Sequence, residues 1–292
     1  MSDPLIFRKM KTIRAAATAL AIILLSACAR PVSHVPGGTT VFDIRTGAEL
    51  TGRQTAKADG FYGTIQEAGQ FISFVRYNPD AFQTTVVMAE GELADSTSAL
   101  CLKTNAVAGI NGSYFDMEEL TSATFVKDDG FITATTAPEE LFRTNGSLVL
   151  NPENLRIDKS DTTEVFDLDW EVLSAGPLLL CDNEVLTYGQ DMPEWESFYG
   201  KRHPRSLIGY DADGGVWLVV VDGRSPGNAE GMTIAELTEL SQKLGLTHAL
   251  NLDGGGSSTL WVLPEGVINH PSDNGVFDHA GERIVPNAIV VR

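Results

Sequence analysis

Short apolar runs, cut every few residues by glycine, asparagine or aspartate, limit what this chain can fold into. Phe71–Tyr77, Thr84–Ala89, Ala106–Ile110, Gly146–Leu150, Leu178–Leu180, Ser206–Tyr210, Val216–Val221 and Ala288–Val291 are all too brief for an ordinary helix. Several are β-branched and bounded by turn formers, which is the signature of strands. Asp211-Ala212-Asp213-Gly214-Gly215, between two of them, is a hairpin-type turn. Two segments read as helices. In Thr233-Ile234-Ala235-Glu236 the threonine hydroxyl and the glutamate three residues on make a capping box. Ile234, Leu237, Leu240, Ser241 and Leu244 then share one face, and Gly245 stands where a helix ends. A weaker helix covers about Ser96–Thr104. Many strands with few helices predict an α+β fold with a mixed β-sheet core.

The first residues read as an address. Arg8, Lys9, Lys11 and Arg14 precede the apolar run Ala15–Leu25, and Leu25-Ser26-Ala27-Cys28 follows. A basic start, a run this short and small residues at its end describe a secretory signal over 1–27, too short to span a membrane. Cysteine directly after Leu-Ser-Ala matches a bacterial lipobox, which makes Cys28 the lipidated N-terminus of the mature chain. Residues 28–40 then form a Pro-, Gly- and Thr-rich tether, 41–95 a strand-rich N-terminal part of the domain, and 96–292 the rest. The expected location is the bacterial cell envelope, lipid-anchored and facing the periplasm or outer membrane. There Cys101 and Cys181 either pair or, both lying in apolar stretches, stay as inert thiols.

Charge narrows the partners. With 21 Lys and Arg against 39 Asp and Glu, the formal net charge is −18. A nucleic-acid partner needs a basic face, so none is expected. A phosphorylated small molecule needs only a few local cations. The candidates are Arg205 and Arg224, whose guanidinium forks suit phosphate oxygens. Asp222 and Asp253 both follow apolar strands, and paired carboxylates are the usual equipment for chemistry at an anomeric carbon. Asp253 opens the run Gly254-Gly255-Gly256-Ser257-Ser258-Thr259. Consecutive glycines either make a concavity of amide donors for an anion or simply a tight turn. The histidines show no metal-binding spacing, and only His203, beside Arg205, lies in a suspect segment. No metal site is assigned. The other reading is a divalent cation, Ca²⁺ or Mg²⁺, on the hard oxygens of Asp222, Asp253 and Asn251.

Taken in order, several segments resemble the phosphodiester glycosidase family. They are Asn111-Gly112-Ser113-Tyr114-Phe115, Ala175-Gly176-Pro177-Leu178-Leu179, Pro204-Arg205-Ser206 with Ile208-Gly209, and Val221-Asp222-Gly223-Arg224. Gly231-Met232-Thr233 with Glu236-Leu237, Asn251 through Thr259, and Asn269 through Pro271-Ser272 complete the set. The resemblance covers roughly 100–292 and implies a hydrolase that releases a sugar from the phosphodiester capping its C1. It transfers the family's motif residues onto Asn111, Arg205, Asp222, Arg224, Asp253, Gly254, Gly255, Gly256 and Ser257. Our assignment gives Arg205, Arg224 and the glycine amides the phosphoryl group, and Ser257 adds a neutral donor. Asp253 or Asp222 serves as nucleophile or base, and Asn111 orients a sugar hydroxyl or water. The competing reading is a non-catalytic envelope lipoprotein that binds an anionic saccharide or serves exopolysaccharide metabolism. It would tolerate loss of both aspartates.

Overall fold

A computed structural model describes residues 35–36, 38–89, 93–151, 154–159, 170–187 and 196–292. The signal segment, Cys28 and most of the tether lie outside the described residues.

Strand Val216–Val221 shows how the body is layered. Its side chains alternate: Val216, Leu218 and Val220 enter one buried cluster, and Trp217, Val219 and Val221 another. A strand with both faces buried is apolar throughout instead of alternating polar and apolar, and Val-Trp-Leu-Val-Val-Val is such a run. It sits at the middle of a nine-stranded sheet, ordered Glu184–Val185, Leu178–Cys181, Leu246–Asn251, Arg205–Asp211, Val216–Val221, Gln70–Tyr77, Gly60–Glu67, Val41–Asp43 and Glu49–Leu50. On one face packs helix α2, Ile234–Lys243, through Ile234, Leu237 and Leu240. On the other lie two five-stranded sheets. One contains Gly146–Asn151 and Glu171–Ala175, and the other Ala108–Asn111, Leu260–Val262 and Asn287–Val291. The short helix α1, Thr97–Lys103, backs the last of these through Leu100 and Cys101.

Each expected strand is present within a residue or two. The α+β expectation is met in a form that is largely β, at 42% strand and 13% helix. The pairings between named strands are antiparallel throughout, including all eight in the large sheet. Short turns between neighbours can close only antiparallel pairs, whereas a parallel step needs a long crossover. Helix α2 carries both bonds of its capping box, Glu236 N–H to Thr233 Oγ1 at 3.1 Å and Thr233 N–H to Glu236 Oε2 at 2.9 Å. The Asp211 turn closes by Gly214 N–H to the Asp211 carbonyl, with Gly214 at φ +81°. Asp211 also accepts from Arg76 Nε at 2.7 Å and Trp217 Nε1 at 2.9 Å. Burial opposes its charge, but these donors outweigh burial and hold the carboxyl below its usual range.

Residues 41–95 belong to the same body, since Gly60–Glu67 and Gln70–Tyr77 continue the sheet that holds Arg205–Asp211. Cys101 and Cys181 are both free thiols, Cys101 packed in its helix against Gly109 and Cys181 on an edge hairpin. The two are not cross-linked.

Candidate active site

The strands that carry the suspect segments lie side by side, so their ends gather there. Arg205–Asp211 pairs with Val216–Val221 on one side and Leu246–Asn251 on the other. Its first residue, Arg205, therefore neighbours the last residues of both, just before Asp222 and Asp253. The glycine run fills the gap. Gly255 N–H donates to the Pro204 carbonyl at 2.9 Å, and Leu252 N–H to the Ser206 carbonyl at 2.8 Å.

Close approach explains each glycine. A side-chain carbon on Gly254 would lie 2.7 Å from the Pro204 carbonyl oxygen. On Gly255, at φ +64°, it would lie 2.7 Å from Nη2 of Arg224. On Gly256 it would strike the Arg283–Asp273 ion pair. The run is thus a thin wall between two guanidinium groups.

Asp253 opens this wall. Its Oδ1 accepts Gly254 N–H at 2.8 Å. Burial pushes the carboxyl above its usual range, against the opposing pull of Ser257, Arg143, the Gly254 amide and Arg283. The Ser257 hydroxyl exerts that pull from outside hydrogen-bond geometry. Arg143, which sequence reasoning missed, has its guanidinium carbon 3.8 Å from the Tyr114 ring centre and forms a bidentate pair with Glu140. Arg283, also missed, pairs with Asp273. Neither belongs to a segment with a recognisable pattern.

Arg224 differs from both. Its side chain is exposed and forms no ion pair among the described residues. Its backbone is left-handed at φ +59°. Non-glycine residues seldom adopt that conformation, and it persists where surrounding structure enforces it. Here it turns the guanidinium over Gly255.

Asp222 is 1% exposed, and its carboxylate is fully engaged. Oδ1 accepts from Asn269 Nδ2 at 3.0 Å, and Oδ2 from His270 N at 2.9 Å and His270 Nδ1 at 2.8 Å. Asn269 in turn donates to the Ser258 carbonyl, which ties this carboxylate–histidine pair to the glycine run. The His270 ring is stacked 3.8 Å from Phe277 and 4.4 Å from His279, with Phe71 edge-on. Sequence reasoning passed over His270. It stands between Asn269 and Pro271 in a motif already noted, yet nothing in the spacing pairs it with a residue 48 positions earlier.

Three assignments change. Asn111 does not face a ligand: it is wholly buried and donates to the Asp253 carbonyl at 2.8 Å. Its Oδ1 accepts from Ser206 Oγ and Thr259 N–H, so it clamps strand ends together. Arg205 is 2% exposed and binds the carbonyls of Met232, Phe198 and Lys201 through Nε and Nη2. Burial first, and then the neighbouring Arg143 and Arg224, push its pKa down to about 10, against the pull of Tyr114. Its fork is therefore largely occupied by main chain. The expected cradle of glycine amides is also reduced, because the Gly254 and Gly255 N–H groups already have acceptors. His203 bonds the Ser197 carbonyl through Nε2. The oxygen set proposed for a divalent cation is not assembled, since both Asp222 oxygens are taken by Asn269 and His270.

Residues 104–292 match the family model described as phosphodiester glycosidase. N-acetylglucosamine-1-phosphodiester α-N-acetylglucosaminidase of Mus musculus is 31% identical over 85 residues, 29% of this chain and 16% of that protein. The Homo sapiens protein of that name is 33% identical over the same shares. The chain thus spans about one sixth of the length of these curated relatives. Among solved structures, the zebrafish catalytic domain of this enzyme, auto-inhibited by its pro-peptide, aligns with a TM-score of 0.63 at 17% identity. The alignment covers 80% of this chain and 82% of that one. A hypothetical protein from Synechocystis aligns at 0.58 and 15% identity, over 80% and 62%. With about two thirds of its length in that model, the chain belongs to the phosphodiester glycosidase family.

Proposed function

We propose that the protein hydrolyses a sugar-1-phosphodiester, freeing the sugar from the phosphate that caps it, on a glycan of the cell envelope or its surroundings. One observation carries this reading. A half-buried carboxyl, Asp253, heads a glycine wall flanked by the guanidinium groups of Arg143, Arg224 and Arg283. The leaving phosphate gains negative charge as the C1–O bond breaks. Cations fixed at that place lower the barrier more than they tighten substrate binding. Arg224, lacking a carboxylate partner, is the group we assign to the phosphate. Asp253 acts at C1 as nucleophile or as the base for water. Asp222 cannot attack, because both its oxygens are occupied. It holds His270, which carries the proton of the attacking water or of the departing phosphate. A saccharide binder would need the arginines but would gain nothing from a carboxyl beside them.

Turnover of a panel of sugar-1-phosphodiesters by wild type and Asp253→Asn tests this. Expected is hydrolysis by the wild type alone, with ¹⁸O from labelled water found in the sugar. Label in the phosphate would move the attack to phosphorus, and no turnover of any panel member would leave the binding reading in its place.

A further inference from the structure

A second cluster of chemically active side chains lies at the far end of the strand that leads to Asp253. Cys181 Sγ, a carboxylate oxygen of Asp182 and a ring nitrogen of His248 all fall within 4.8 Å of one another. The sheet brings them together. Beyond the bulge, Leu180 pairs with Ala249, and continuing that register sets Cys181 opposite His248. Directly opposed residues share a face with their side chains in reach. Asp182 and Asn183, at φ +52° and +66°, form the two-residue turn that follows and bring Asp182 back over the pair.

The histidine is already in the tautomer that a metal requires. The Thr247 hydroxyl has one proton and gives it to the Tyr210 carbonyl at 3.2 Å, so it can only accept from His248 Nδ1, also at 3.2 Å. The lone pair is then left on Nε2, which accepts Asp182 N–H at 3.3 Å and lies 3.5 Å from the Asp182 carboxylate. Tyr210 stacks on the ring, 4.5 Å between centres and 19° between planes, and fixes its orientation. Such outer bonds orient metal-binding histidines.

The geometry points to a binding site for Zn²⁺, or a divalent transition metal of like preference, made by Cys181, Asp182 and His248. Thiolate, imidazole and carboxylate together suit zinc, whereas Ca²⁺ and Mg²⁺ call for oxygen alone. A tetrahedral zinc holds its ligand atoms about 3.5 Å apart. Asp182 and His248 already stand at that distance, the Cys181 thiol lies within 4.8 Å of both, and the metal would take the place of the Asp182 N–H on Nε2. Binding expels the thiol proton, so affinity rises with pH. Asp158 and Glu184 add negative charge nearby and Lys159 positive. From His248 to Asp253 is five residues, roughly 16 Å along a strand, so the metal would fasten the edge hairpin and take no part at Asp253.

Full-length protein, stripped by chelator and kept reduced, is titrated with Co²⁺. Expected is saturation at one equivalent with a thiolate-to-cobalt absorption band. That band is lost in Cys181→Ala and in His248→Ala, kept in Cys101→Ala, and displaced by Zn²⁺. Thr247→Val, which frees the Nδ1 proton, weakens binding about ten- to a hundredfold. Should an alanine variant fail to fold by circular dichroism, alkylation of wild-type Cys181 with and without Zn²⁺ reads the same claim, and protection by the metal is expected. Absence of the band in wild type, a band that survives Cys181→Ala, or equal alkylation rates would overturn the assignment.

Discussion

Replacing Asp222 by asparagine keeps the shape of the side chain and removes its ability to accept on both oxygens. Three N–H donors converge on that carboxylate, one on Oδ1 and two on Oδ2. An amide offers one acceptor oxygen and one NH₂ group, so in either orientation the NH₂ opposes at least one donor. The less costly choice turns the oxygen to His270 and sets NH₂ against NH₂ at the wholly buried Asn269. One charge-assisted hydrogen bond is lost, about 1.5–3 kcal/mol. For a body of this size that lowers the melting temperature by about 3–12 °C. If His270 carries a proton during turnover, the same loss falls on its charged form, and kcat drops about ten- to a hundred-and-fifty-fold with KM little changed. Steady-state kinetics on the best panel substrate, with calorimetry on the same samples, reads both numbers. His270→Ala should lose as much, and the double variant scarcely more, because the two residues act as one unit. A folded Asp222→Asn enzyme with kcat within about twofold of wild type would refute the assignment of His270 as proton carrier.

Other outcomes follow from the same geometry. Asp253→Asn should abolish turnover yet melt higher at pH 7. The folded carboxyl's raised pKa stabilises the fold only below the unfolded value of about 3.9, and that contribution is lost as pH rises through the folded pKa. The advantage of the asparagine should therefore vanish in melts run below about pH 4. Arg224→Ala should cost turnover without lowering the melting temperature, since no ion pair is broken, and should flatten the salt dependence of kcat/KM. Gly254→Ala, forced against the Pro204 carbonyl, should lose about 1–3 kcal/mol in denaturant unfolding. Labelled fatty acid should enter the protein expressed in a bacterium and be absent from Cys28→Ala, as the lipobox reading requires.

The elements were legible because local chemistry decides them. Val216–Val221 can only be a strand buried on both faces, and Thr233 with Glu236 caps a helix wherever it is packed. The candidate site was legible as segments but not as contacts. Asp222 and Asp253 could be picked out because each ends an apolar strand. The donors that surround Asp222 come from residues 269 and 270, and chain spacing has no means of pairing positions that far apart. Asn111 and Arg205 read as ligand-facing from the family resemblance, and Arg205 also from its guanidinium. Their type also suits tying strand ends to main chain, and burial decided for that use. Arg143 and Arg283 carried no pattern. Their importance comes from standing near the Asp253 carboxyl.

A chain of formal charge −18 repels phosphate over most of its surface, so its anion site depends on a local reversal of sign. Of the guanidinium groups near the glycine wall, Arg143 is neutralised by Glu140 and Arg283 by Asp273. Arg205 is buried and bonded to carbonyls. Those three add little free positive charge. Arg224 alone stands exposed with no ion pair among the described residues, on a backbone strained to hold it there. A phosphodiester, with one negative charge, suits a single such cation, while the phosphomonoester product, nearly doubly charged, is pushed outward by the acidic surface around it. Substitution of a nearby surface glutamate or aspartate by lysine should accordingly tighten product inhibition before it alters KM for the diester. The opposite order of effects would place the phosphate elsewhere.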